Sequence, residues 1–258
     1  MKKIVALLLV LCLTSMLFAG CGTKPAGEQI AEALNKTQAL DSIDAKMTMN
    51  VTMAMQGVTI ELPVTMDIKG DALQTDSPKM AIDMAMTMMG ETAKMEMYME
   101  GEWAYYVMDD FKYKMKISEL DASDDYSDSV DSLVQDLPED LLKDIKLEEK
   151  SDGSKSVTID ISADKFSELY KDIMEGMNSS AGAGTDNVEI TGCSVSLTMK
   201  DGYITEYAMS YDMQMTVEGI SVTANAEAAV VYKNPGSKVT VTPPEGYQDF
   251  QDMGGIVG

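Results

Sequence analysis

The side chains of this 258-residue chain that could do chemistry are 24 methionine thioethers, three cysteine thiols and 43 carboxylates, with neither histidine nor arginine beside them. Without imidazole, Ser-His-Asp and Cys-His relays and histidine-based zinc sites are excluded. Without guanidinium there is no planar fork to grip a phosphate or carboxylate. Calcium fails by position: in a loop read from Asp121, Ser123 and Asp125, Tyr126 stands where glycine is needed and Ser132 where a bidentate glutamate is needed. Gly182-Ala183-Gly184 starts like half a dinucleotide fingerprint but reaches Asn187 where the third glycine belongs, so it reads as a loop. Copper is the sharper candidate, because soft thioethers select Cu(I) and Met95-Glu96-Met97-Tyr98-Met99 spaces three of them closely. That spacing also fits a strand with one apolar face, and no histidine or cysteine joins it. The residue types therefore point to no enzyme, no metal and no cofactor.

One cysteine has a chemical role of its own. Lys2 and Lys3, then an apolar run from Ile4 to Leu17, lead into Ala19-Gly20-Cys21. A charged start, a short apolar region and small residues before a cut describe a secretory signal over residues 1–20. The apolar run is shorter than the roughly 20 residues a spanning helix needs. Leu17-Phe18-Ala19-Gly20-Cys21 resembles the lipobox of bacterial lipoproteins, with Phe18 where an aliphatic residue is usual. The resemblance implies a diacylated Cys21, anchored at the extracytoplasmic face of the cell membrane. Cys12 leaves with the signal, so Cys193 is the sole free thiol of the mature chain, expected as a small buried apolar residue. The formal net charge of −23 loses two lysines with the signal and grows more negative. Such a charge excludes nucleic acid as a partner and keeps a crowded surface protein apart from its copies.

These groups must be positioned by long strands. After a tether over 21–28, Ile30, Ala33, Leu34 and Thr37 have helical spacing, predicting a helix over about 27–42. From Ile43 the period is two. Met47–Met55, Val58–Ile68, Met80–Met88, Ala93–Met99, Trp103–Val107 and Phe111–Ile117 alternate in turn, predicting a six-stranded meander with one apolar and one polar face. Pro63 inside the second run is expected at a bulge or toward a sheet edge. Helical spacing returns over 121–146 and, after a hairpin ending in Ile161, at Phe166, Leu169, Tyr170, Ile173 and Met177. Three closing strands follow, with a bulge expected near Gly192-Cys193, a tight turn at Asp201-Gly202, and Tyr203, Thr205 and Tyr207 on one face.

Most methionines fall on the apolar strand faces, where branched side chains would have better strand propensity. Unbranched, polarizable methionine moulds itself to varied apolar partners, as well as filling cores. The expected wall of a ligand site is Met80, Ile82, Met84, Met86, Met95, Met97, Met99 and Trp103, with Tyr207, Met209 and Met213. A lipid or other amphiphile is the expected ligand.

The order of lipobox, helix, six meandering strands, helical insert, hairpin, helix and three strands resembles the LolA/LprG-type (LppX-like) lipoprotein superfamily, and in flavour its methionine-rich Gram-positive members. That resemblance implies an α+β fold: a strongly curved antiparallel half-barrel of about eleven strands, with helices covering the concave face. It implies one domain over 29–247, a flexible tail over 248–258, and a cavity that carries or senses a lipid. The alternative is a non-catalytic surface sensor or scaffold, filled by its own side chains and bound to a protein partner.

Overall fold

A computed structural model describes residues 24–88, 90–119, 145–169, 185–217 and 219–253. The signal, Cys21, the helices expected over 121–146, and the third helix beyond Leu169 lie outside the described residues.

Helix α1 (Ala26–Gln38) leads into the six strands of the meander: β1 (Ile43–Met55), β2 (Val58–Asp71), β3 (Lys79–Met88), β4 (Glu91–Glu100), β5 (Trp103–Met108) and β6 (Phe111–Lys116). Strands β7 (Glu148–Glu149) and β8 (Lys155–Ile161) precede helix α2 (Ala163–Leu169). Then come β9 (Thr185–Lys200), β10 (Tyr203–Val217), β11 (Ile220–Tyr232) and a two-residue β12 (Gln251–Asp252). All join one sheet in the order β12-β6-β5-β4-β3-β2-β1-β11-β10-β9-β8-β7. The fold is thus mostly β, twelve strands rather than eleven. It is mixed rather than wholly antiparallel, because β12 runs parallel to β6.

Local chemistry explains the hairpins. Gln56 and Gly57 have φ of 50° and 80°, and Asp201 and Gly202 have 54° and 76°. Two consecutive positive φ values define the turn whose twist matches the flanking strands. The expected bulge is present: Gly192 pairs with Asp212 and Ile190 with Met213, leaving Thr191 extra. A second shift between Ile204 and Glu206 leaves Thr205 extra. Ile204, paired with Met199, is therefore buried on the same face as Tyr207, while the Tyr203 ring meets Lys36 Nζ of α1 at 3.8 Å. Pro63 makes no bulge, since the β1–β2 register is unbroken through Asn50↔Pro63. Pairing of β2 with β3 stops at Val64↔Met86, one residue short of the proline. Strand β2 lies between β3 and β1 inside the sheet, so Pro63 sits neither at a bulge nor on an edge strand. The β3 ladder stops beside it, where a residue without an N–H has no bond to give.

Two buried clusters lie on opposite faces. On the first, Ile30 and Ala33 of α1 and Phe166 of α2 pack over Val157, Ile159, Val195, Leu197 and Ile204. Thr37 fastens α1 to the sheet: its hydroxyl accepts the Ile204 amide at 2.9 Å and donates to Ala33 O at 2.7 Å. On the other face, the C-terminal segment after β11 crosses from Lys233 to β6. Lys233 Nζ lies 3.2 Å from Asp44 and 3.1 Å from Asp67, on β1 and β2. Further on, Val241 and Phe250 bury themselves against Tyr98 and Tyr105, and Met253 N donates to Lys114 O at 2.9 Å. The tail expected to be free from 248 is built into the fold through Met253. Its apolar residues have no period of their own and needed a sheet face to pack on.

Candidate ligand-binding face and cavity

The register carries one apolar face across the sheet. Met80 faces Met99, Ile82 faces Met97 and Met84 faces Met95 across β3 and β4, with Met86 beside Ala93. This half of the expected wall therefore forms one patch, half-buried except for Met86 at 42 % exposure. Tyr207, Met209 and Met213 share the face but pack against the cluster beneath α1. Strands β2, β1 and β11 intervene, so β3 and β10 stand about 19 Å apart at four strand spacings. The expected residues make two patches rather than one site.

Trp103 belongs to neither patch. The two-residue turn at Gly101-Glu102 pairs Trp103 with Glu100, while Ala104 and Tyr106 pair with Met99 and Met97. Trp103 thus sits on the opposite face with Tyr98 and Tyr105, its ring flanked by Lys114 and Lys116 Nζ at 5.4 and 5.9 Å. Every residue of β5 is apolar, so alternation had no phase to read there.

The opposite face carries the clearest electrostatic network. The Glu100 carboxylate accepts from Lys79 Nζ at 2.7 Å, Tyr98 Oη at 3.0 Å and Tyr247 Oη at 3.3 Å. The lysine contact, first among these, holds Glu100 below the usual carboxylate range. Burial, and donation to Glu100, push the Tyr98 phenol well above its ordinary value. Tyr247 also packs edge-on to Tyr98 and Tyr105, with centroids at 5.5 and 5.0 Å. This network latches the C-terminal strap. Burial likewise pushes the Cys193 thiol up to about 11, which leaves it protonated at neutral pH.

On the apolar face, a cavity of about 280 Å³ opens between α1 and the sheet. Ile43, Ile204, Tyr207, Val230 and Tyr232 form its floor, Leu34, Thr37 and Leu40 its roof, and Leu73 and Gln74 one side. The side is held in place by Leu73 N donating to Asp41 O at 3.0 Å and by Gln74 Nε2 donating to Gln38 O at 3.2 Å. Gly70 makes room for it: a Cβ there would stand 2.9 Å from Leu73 and 3.0 Å from Ile43. Sequence reasoning assigned only Tyr207 of this lining to the ligand wall, with Leu34 and Thr37 read as the packed face of the helix. Leu40 and Leu73 fall in connections without periodicity, and their isolated apolar character was the one available signal.

A larger trough of about 380 Å³ lies on the other face, bordered by Thr48, Asn50, Thr65, Ser194, Ser196, Ser210 and Glu227. Met49, Pro63, Val64, Ala208, Met209, Ala228 and Ala229 complete its lining, so polar and apolar side chains share it. Among the described residues, no three acidic or cysteine side chains converge as a cation site.

Comparison with solved structures finds the similarity that the element order implied. The Mycobacterium tuberculosis lipoprotein LppX is 14% identical over 86% of this chain and 100% of its own, with a TM-score of 0.42. LprF from Mycobacterium bovis is 11% identical over 85% and 96%, with a TM-score of 0.44. A DUF1329 family protein from Desulfovibrio piger is 7% identical over 85% and 96%, at 0.26. No curated protein matches the sequence. A family model covers residues 26–245, nearly all of the fold from α1 to the strap, and the chain belongs to that family, DUF6612, a family of unknown function.

Proposed function

We propose that the chain is a non-catalytic lipoprotein, anchored through diacylated Cys21 at the extracytoplasmic face of the cell membrane, that holds a lipid or other amphiphile between α1 and the apolar face of its sheet. The observation that carries this reading is the cavity under α1, whose lining is mainly aliphatic and aromatic, with Thr37, Gln38 and Gln74 as its polar members. Its volume is near the lower end of small-molecule sites, about 300–1,000 Å³. Val230 in its floor pairs with Met47, from which the methionine face continues across β2, β3 and β4. A sheet curved as a half-barrel would let an acyl chain leave the cavity along that face, gaining about 0.8 kcal/mol for each methylene it buries. Methionine side chains would mould to chains of different length.

Mature protein is expected to carry extractable lipid in native mass spectrometry and to take up a fluorescent fatty acid. Leu34→Trp, which fills the cavity from its roof, is expected to abolish uptake, and refusal by the unaltered chain would overturn the reading. The anchor is tested separately: labelled palmitate is expected on the chain and absent from Cys21→Ser, and equal labelling of both would remove Cys21 from that role.

One observation favours the sensor or scaffold reading. Met55 and Val58, Met86 and Met88, and Met108 and Phe111 are exposed, Phe111 at 75 %. They flank the β1–β2, β3–β4 and β5–β6 turns, which antiparallel order places at one end of the sheet. Refusal of fatty acid together with a stoichiometric protein partner that Phe111→Ser releases would establish that reading instead.

A further inference from the structure

The cross-strand register assembles a group that no spacing along the chain displays. Met47 on β1 pairs with Met66 on β2, Met66 with Met84 on β3, and Met84 with Met95 on β4. Four thioethers from four strands therefore stand in one row on one face. Within a strand, same-face side chains are two residues apart, about 6.6 Å. Across paired strands the Cβ atoms are closer, about 5 Å. Three rotatable bonds let each sulfur swing toward its neighbours.

Core packing among the described residues does not account for this row. All four residues are half-buried, and none belongs to either buried cluster, whereas Met199 and Met209 do pack into one. Nor does the row offer oxygen ligands. Lys46, Asp67, Asp83 and Glu96 follow the same register one residue away and so point to the other face.

We propose that Met47, Met66, Met84 and Met95 form a binding site for one soft monovalent cation, Cu(I) or Ag(I). Three adjacent sulfurs hold the ion, and Met66 and Met84 are common to both triplets. Neutral thioethers are soft donors that select Cu(I) over hard divalent ions. They leave the ion its full positive charge, which the strongly negative chain attracts. Binding changes no oxidation state and needs no proton transfer. The row lies outside the cavity under α1 but on the face along which the proposed acyl chain would run, so the ion is titrated into lipid-free protein.

Silver nitrate titrated into chloride-free mature protein, labelled at its methionine methyl carbons, reads the site directly. The expected result is saturation at one equivalent, with shifts of the Met47, Met66, Met84 and Met95 methyl resonances and none of Met199 or Met209. Zinc is expected to shift none of them. Met66→Leu with Met84→Leu nearly conserves volume, so the fold is kept, and is expected to lose the bound equivalent. Leu34→Trp is expected to keep it, which separates this site from the ligand cavity. Unsaturable shifts spread over methionines throughout the chain, or undiminished binding by the double variant, would overturn the proposal.

Discussion

Phe250→Ala is expected to lower stability by about 3–5 kcal/mol, the cost of truncating a buried aromatic side chain. Phe250 is 6 % exposed and meets Tyr105 edge-on, with centroids 6.2 Å apart. It holds the last turn of the strap, beyond which β12 adds to β6. The chain has one tryptophan, Trp103, and it packs against this cluster. A urea titration followed by Trp103 fluorescence should show the midpoint fall, with Tyr98 and Tyr105 newly accessible to solvent. A loss below about 1 kcal/mol would mean that the strap contributes little beyond an ordinary surface contact. Acid should loosen the same latch. Glu100 is held below its ordinary value of 4.5, so its contribution is present above that value and lost as pH falls through the lower folded one. Trp103 fluorescence should therefore change below about pH 4.5 in the parent chain and lose that step in Glu100→Gln.

Leu197→Ala should cost about 2–5 kcal/mol and act on the whole molecule. Leu197 is 1 % exposed, toward the C-terminal end of β9. It pairs with Val157 on β8 and Tyr207 on β10, under the helices. A cavity there cannot collapse easily, because strands on both sides fix the backbone. Far-ultraviolet circular dichroism and Trp103 fluorescence are expected to report one shared, lowered midpoint. Separate midpoints would show that the two faces unfold independently. Met95→Ala makes the contrast: half-buried and outside both clusters, it should cost clearly less.

The strands were legible because alternation over ten residues is a local property. Val58 to Ile68 and Met80 to Met88 keep their phase without help from the rest of the chain. So do the turns, since Asp201-Gly202 adopts the paired positive φ values its residue types favour. Legibility failed where that signal is missing. Trp103-Ala104-Tyr105-Tyr106-Val107-Met108 is apolar throughout, and only pairing with β4 assigned Trp103 to the opposite face. Leu40, Leu73, Val241 and Phe250 sit in connections, where an apolar residue has no period to announce its partner. These are the residues that line the cavity and fasten the strap.

By itself the sequence determined the acidic, histidine-free and arginine-free chemistry, the long alternating strands, their hairpins and a bulge near Gly192-Cys193, which the register puts at Thr191. Each depends on residues within one turn or one strand. Tertiary structure alone decided that the first strand pairs with β11, that methionines from four strands fall into one row, and that burial is divided between two faces. Those outcomes depend on residues up to about two hundred positions apart, whose pairing is chosen by the apolar surface it removes from water.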